Sequence, residues 1–260
     1  MNSLAAPTLR RVSCLLLLLA AVVRIGAAED ARAIMTEVQK RSRVDSQRYQ
    51  GLLRVIDAKG KTSEKGWTYE RLGSHGNSKV IIRFTAPADV KGVALLVLNY
   101  PDRASDQWMW TPAINRERRV AAQDRRARFF GTDFSFEDLE ERDIEQYDFV
   151  LQGDDTIDKE SCWKIVATPK PGKRSQYSAS TYWVRKSTYT VAQIENVEGD
   201  KPIRRVSYRE MAQVQNVWTA KRIEVEDIAR QSRTVLALDS IAYNVPLGAD
   251  LFTVQALRRD

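Results

Sequence analysis

From Tyr49 to Tyr243 the chain reads as one short β-prone run after another, each closed by a turn-rich piece. Tyr49–Ile56 (YQGLLRVI), Gly66–Leu72 (GWTYERL) and Lys79–Phe84 (KVIIRF) are separated by Asp57-Ala58-Lys59-Gly60 and Gly73-Ser74-His75-Gly76-Asn77. Val93–Tyr100 (VALLVLNY) is apolar without alternation, which predicts burial on both faces. Gln107–Trp110 does alternate, with Trp108 and Trp110 on one face and Met109 on the other. Further runs continue to Arg233–Tyr243, giving about eleven strands and no linker long enough to divide them. An antiparallel chain with so many strands must hide its edges, by closing into a barrel or by packing helices on an open face.

Two stretches supply such helices. Asp30–Arg43 places Ala33, Ile34, Val38 and Arg41 at helical spacing, with Asp30 as N-cap. Ser135, followed three residues later by Asp138, resembles a capping box and predicts a helix to about Arg142, with Phe136, Leu139 and Phe134 on one apolar side. The economical architecture is mainly β: an antiparallel, strongly curved, unclosed β-barrel whose concave side is covered by short helices. A β-sandwich is the alternative. The tail, Pro246–Arg259, is expected to fold back as a final helical turn.

Arg10 and Arg11 precede an uninterrupted apolar run, Leu15–Val23, and Gly26-Ala27-Ala28 offers a cleavage site, the pattern of a secretory signal peptide. The run falls short of the roughly 20 residues of a bilayer span, which disfavours a transmembrane anchor. The expected division is therefore a signal peptide at residues 1–28 and one domain at 29–260. Losing Arg10, Arg11 and Arg24 takes the formal charge from +7 to +4, too little to argue for nucleic acid. Cys14 leaves with the signal, so Cys162 has no intramolecular partner and reads as a buried, inert thiol.

Chemistry-bearing patterns are sparse. His75 and Cys162 lie far apart, which argues against a zinc site, and no Gly-x-Ser-x-Gly elbow accompanies His75. His75 itself reads as a solvated turn residue. Gly60-Lys61-Thr62 is not a phosphate loop, because Val55 stands where the first glycine is required. Asp133, Glu137 and Asp138 are explained by helix capping. Arg116, Arg118, Arg119, Arg125, Arg126 and Arg128 form either a solvated face or a docking surface for anionic head groups or an acidic partner. Trp108, Trp110, Phe129 and Phe130, taken with the Ser135 helix, are either plain core or the wall of a pocket that the helix covers.

Arg83-Phe84-Thr85-Ala86-Pro87, Lys91-Gly92, Trp108-Met109-Trp110-Thr111-Pro112, Arg116, Arg118-Arg119 and Phe130-Gly131-Thr132-Asp133-Phe134-Ser135-Phe136-Glu137-Asp138-Leu139 together resemble the outer-membrane lipoprotein-sorting protein family, the LolA-like periplasmic carriers. The resemblance spans about Arg83 to Leu139. It implies an unclosed barrel enclosing a hydrophobic cavity for acyl chains, no catalysis, no cofactor and no metal. It also implies a monomer working beside an inner-membrane transporter and an outer-membrane acceptor.

On this reading the wall residues are Leu53, Val55, Ile82, Phe84, Leu96, Leu98, Trp108 and Trp110, and the lid residues Phe134, Phe136 and Leu139. A one-residue slip in strand parity reverses any wall assignment. Arg116, Arg118 and Arg119 are the candidate docking surface for a partner or head group. The expected function is a periplasmic carrier for lipid or lipoprotein acyl chains. The competing readings are a non-catalytic interaction module with a dry core and an envelope hydrolase using His75 and Asp133.

Overall fold

The computed structural model describes residues 31–259. The expected signal segment and the N-cap role of Asp30 lie outside the described residues. Thirteen strands stand where about eleven were expected: β1 (Ser46–Ile56), β2 (Thr62–Ser74), β3 (Asn77–Ala86), β4 (Ala94–Asn99), β5 (Asp106–Thr111), β6 (Arg116–Arg119), β7 (Tyr147–Ile157), β8 (Glu160–Pro169), β9 (Ala179–Arg185), β10 (Val191–Glu198), β11 (Lys201–Val214), β12 (Val217–Asp227) and β13 (Ser232–Tyr243). Many outrun their apolar patterns, because ladder hydrogen bonds continue through polar residues. The β11 pattern ends at Tyr208, yet its pairing with β12 extends to Val214.

All thirteen strands join one antiparallel sheet in the order β6-β5-β4-β3-β2-β1-β13-β12-β11-β10-β9-β8-β7. Strands adjacent in the chain pair with one another except β6 and β7, and the one long-range pairing, β1 with β13, joins the two halves. At this seam the register shifts between Gln50 and Gly51, and a Cβ on Gly51 would lie 1.9 Å from the carbonyl oxygen of Ala237. Only glycine fits that close approach, and the bulge bends the sheet where its halves meet. The result is a curved, open sheet, the unclosed barrel expected, with β6 and β7 as free edges.

The concave side holds two apolar clusters. One gathers Leu53, Val55, Ile82, Phe84, Leu95, Val97 and Met109 around Phe129 and Phe136. The other gathers Tyr147, Phe149, Ile165, Tyr182, Ile194, Val206 and Val225 beneath a helix, α1, over residues 31–41. The buried stripe of α1 is Ala31, Ile34 and Met35, with Val38 half-buried, whereas Ala33 is exposed. On the convex side Ile81, Ala94, Leu96 and Trp110 pack against Phe252 and Leu257, borne on two short turns, Ala249–Phe252 and Gln255–Arg258. The tail thus folds back as expected and covers the outer face of β4, so that strand is buried on both sides. Cys162 is buried beside Trp183 and Ala192, and burial pushes its thiol above the ordinary value.

Candidate ligand cavity

Because β6 and β7 are opposite edges, the chain between them must cross the open side of the sheet. Residues 120–146 make this crossing as a strap over the concave face, and buried charges fasten it. Asp133, fully buried, pairs with Arg128, accepts from Ser232 Oγ at 2.6 Å and Thr234 Oγ1 at 2.7 Å, and donates its backbone N–H to Thr234 Oγ1 at 2.8 Å. Glu137 accepts from Ser175 and from the Gln176 backbone N–H, Asp138 pairs with Arg204, Glu140 with Arg125, and Glu141 with Arg71. Gln107, fully buried on the inner face of β5, donates to the Phe136 carbonyl at 3.0 Å and to Glu140 at 2.9 Å. A buried charge is tolerated when paired and fully hydrogen-bonded, so these carboxylates act as fasteners as well as caps.

The expected lid helix over Ser135–Arg142 is instead a single 3-10 turn, Glu137–Leu139. The capping-box contacts do form: Asp138 Oδ2 accepts from the Ser135 backbone N–H and hydroxyl, both at 2.7 Å. Propagation stops at Glu140, whose φ of −79° and ψ of 148° are extended. Glu140, Glu141 and Arg142 reach different strands of the sheet, and one helical face cannot serve all three.

Between the strap, α1 and the two halves of the sheet lies a cavity of about 510 Å³. One wall comes from β1–β3 and β13, including Leu53, Ile82, Phe84, Leu236 and Leu238. The other comes from β7 and β9–β12, including Phe149, Tyr182, Ile194, Val206, Tyr208 and Ile223. Met35 and Val38 of α1 and Phe134 and Leu139 of the strap cover it.

Of the residues expected there, Leu53, Ile82, Phe84, Phe134 and Leu139 line the cavity. Val55 and Phe136 belong to the adjoining concave cluster without lining it. Leu96, Leu98, Trp108 and Trp110 lie on the opposite, convex face, under the C-terminal turns. This corrects the expected wall: β4 turns Leu95 and Val97 inward and β5 turns Gln107 and Met109 inward, one residue out of step with the expected parity. Nothing in the continuous apolarity of β4 distinguishes its two buried faces.

Arg116, Arg118 and Arg119 sit on edge strand β6, away from the cavity. Arg119 pairs with Asp106 and Arg118 with Asp124 at 3.5 Å, while Arg116 is exposed.

Several polar groups that line the cavity were not expected from the sequence. His75 does occupy a two-residue turn between β2 and β3, with φ of 49° followed by 80° at Gly76, the left-handed pair that hairpin turns favour. Its ring, however, is half-buried, Nε2 has no hydrogen-bond partner, and burial holds the imidazole below its ordinary value against the opposing pull of Glu141. The hydroxyls of Tyr49, Tyr69 and Tyr208 are also pushed up by burial, that of Tyr208 to about 12. Arg142 and Asn196 line the same space. The arginine follows the resembling stretch directly, but a lone charge among Glu140, Glu141 and Asp143 gives no pattern to single it out.

A family model described as "Uncharacterized protein" matches residues 76–259. No curated protein matches the chain. Among solved structures, a DUF1329 family protein from Desulfovibrio piger is similar over 89% of this chain and 99% of its own, at 25% identity and a TM-score of 0.85. An outer membrane lipoprotein-sorting protein domain from Vibrio parahaemolyticus is similar over 89% of this chain and 100% of its own, at 22% identity and a TM-score of 0.84. A LolA superfamily protein from Nitrosomonas europaea covers 86% of this chain and 97% of its own, at 19% identity and a TM-score of 0.68. The chain belongs to the family of that model, and it shares its fold with the lipoprotein-sorting protein domain and with the LolA superfamily protein.

Proposed function

We propose that this protein is a non-catalytic periplasmic carrier, exported by the segment at residues 1–28, whose remaining residues 29–260 form one carrier domain. It holds the acyl chains of a lipid or lipoprotein in the cavity under the strap and delivers them toward the outer membrane. A membrane transporter as donor and an outer-membrane acceptor are the partners that fit this role. The observation that carries the reading is the cavity itself, about 510 Å³ between largely apolar walls, within the roughly 300–1,000 Å³ of small-molecule sites. Burying about 15 methylenes at roughly 0.8 kcal/mol each contributes about 12 kcal/mol gross, before association costs. Such cargo leaves slowly unless the covering segment opens, so contact with an acceptor that loosens the strap is the natural release step. The carboxylates around the cavity support carriage over catalysis, since each is engaged by a cation that fastens the strap.

The test is native mass spectrometry and lipid extraction of protein purified from periplasm, alongside binding of the neutral fluorescent probe N-phenyl-1-naphthylamine. Co-purifying acyl species and probe fluorescence that falls with Ile82→Trp are expected. Absence of both acyl species and probe binding would leave the dry interaction module as the better account.

A further inference from the structure

The charges around the cavity balance except for one. Arg71 is paired with Glu141, Asp138 with Arg204 and Glu140 with Arg125, but the guanidinium of Arg142 meets no carboxylate within ion-pair distance. It donates only to neutral groups: Tyr182 Oη at 2.9 Å, Ser180 Oγ at 3.2 Å and Asn196 Oδ1 at 3.3 Å. The field of Asp138 reaches it. Both oxygens of that carboxylate are taken, however: Oδ1 by the Tyr177 hydroxyl at 2.6 Å and Oδ2 by Arg204 and Ser135.

A second observation points to the same spot. Asn196 is fully buried, and its Oδ1 accepts from Arg142 and from Ser180 Oγ at 2.7 Å, which fixes the amide orientation. Its Nδ2 is left with no acceptor. A buried amide donor without a partner is costly, and so is a largely desolvated cation without a counter-ion. Both residues line the cavity, so one oxyanion placed between them relieves both costs.

We propose that Arg142 and Asn196 form the head-group end of the cavity, and that the cargo is an amphiphile carrying an oxyanion, a carboxylate or a phosphate monoester, on its alkyl chain. This rests on the carrier reading and narrows it, because a triacylated lipoprotein terminus brings no such anion.

The test is displacement of N-phenyl-1-naphthylamine from the mature protein by dodecanoate, dodecyl phosphate and methyl dodecanoate. The anions should displace the probe at concentrations about ten- to a hundredfold below the neutral ester, the span of a charge-assisted hydrogen bond. Arg142→Gln should remove that preference, so that anion and ester displace the probe at similar concentrations. Because Arg142 also ties the strap to β9 and β10, Asn196→Asp serves as the second variant: it sets a carboxylate of nearly the same shape against Arg142 and should likewise abolish the preference. Dodecanoate ahead of dodecyl phosphate assigns a fatty-acid head, and the reverse order a phosphorylated one. Equal displacement by anion and ester in the wild type, or a preference that survives in folded variants, overturns the proposal. Failure of the probe itself to bind strikes the carrier reading, and this inference falls with it.

Discussion

At the residue scale, His75 exposes both how much of the site is legible in the sequence and where legibility stops. Its place in the β2–β3 turn follows from Gly73-Ser74-His75-Gly76-Asn77, since turn chemistry is local. Its half-burial against α1 and the strap depends on residues far away in the chain. Burial favours the neutral imidazole in the folded state, so the folded value lies below the ordinary 6.5. As pH falls below 6.5, the unfolded chain takes up a proton that the folded chain resists, and stability is lost across the window down to the folded value. His75→Asn tolerates the left-handed backbone and removes this loss. Urea unfolding should therefore show wild type declining relative to the variant as pH falls through about 6.5, with a constant difference well above it. A difference independent of pH would mean the ring is solvated, as the sequence alone suggests. Trp108 and Trp110 were legible in the same limited way: alternation places them on one face, and only the tertiary partners Phe252 and Leu257 decide which.

At the scale of elements, the strands were legible because each carries its own period and turn. The strap was not, because what shapes it is pairing at a distance. Ser135 and Asp138 do make the local contacts a helix start requires, but Glu140, Glu141 and Arg142 are claimed by separate strands and the helix is given up after one turn. Asp133 is the fastening with the most to lose, since its removal leaves the Ser232 and Thr234 hydroxyls without their acceptor and Arg128 without its counter-ion. Asp133→Ala is expected to destabilise by about 3–5 kcal/mol, the cost of breaking a buried pair. Arg118→Ala on the edge strand, where the pair with Asp124 is exposed, should stay within about 1 kcal/mol. Chemical denaturation of both variants checks this, and equal effects would mean that the strap lies on the sheet without being fastened.

At the scale of the whole molecule, the sheet order has a consequence that no single strand carries. With β1 paired to β13, the first and last strands are locked together at the middle of the sheet, and the chain between the two free edges runs through the strap. The β1–β13 seam was not legible, because nothing local in either strand specifies a partner so distant in the chain. The cavity is enclosed by both halves at once, so a ligand in it contacts strands of each half across the space between them. An occupant that binds the folded state alone stabilises it by mass action, by about 2.7 kcal/mol when free ligand is a hundredfold above its dissociation constant. For a domain of this size each kcal/mol moves the melting temperature by roughly 2–4 °C. Delipidated protein should therefore melt about 5–10 °C below the same protein reloaded with an acyl ligand, as read by calorimetry. Ile82→Trp, which narrows the cavity, should shrink that gap. If removing and restoring the lipid leaves the melting temperature in place, the space under the strap is not where the ligand sits.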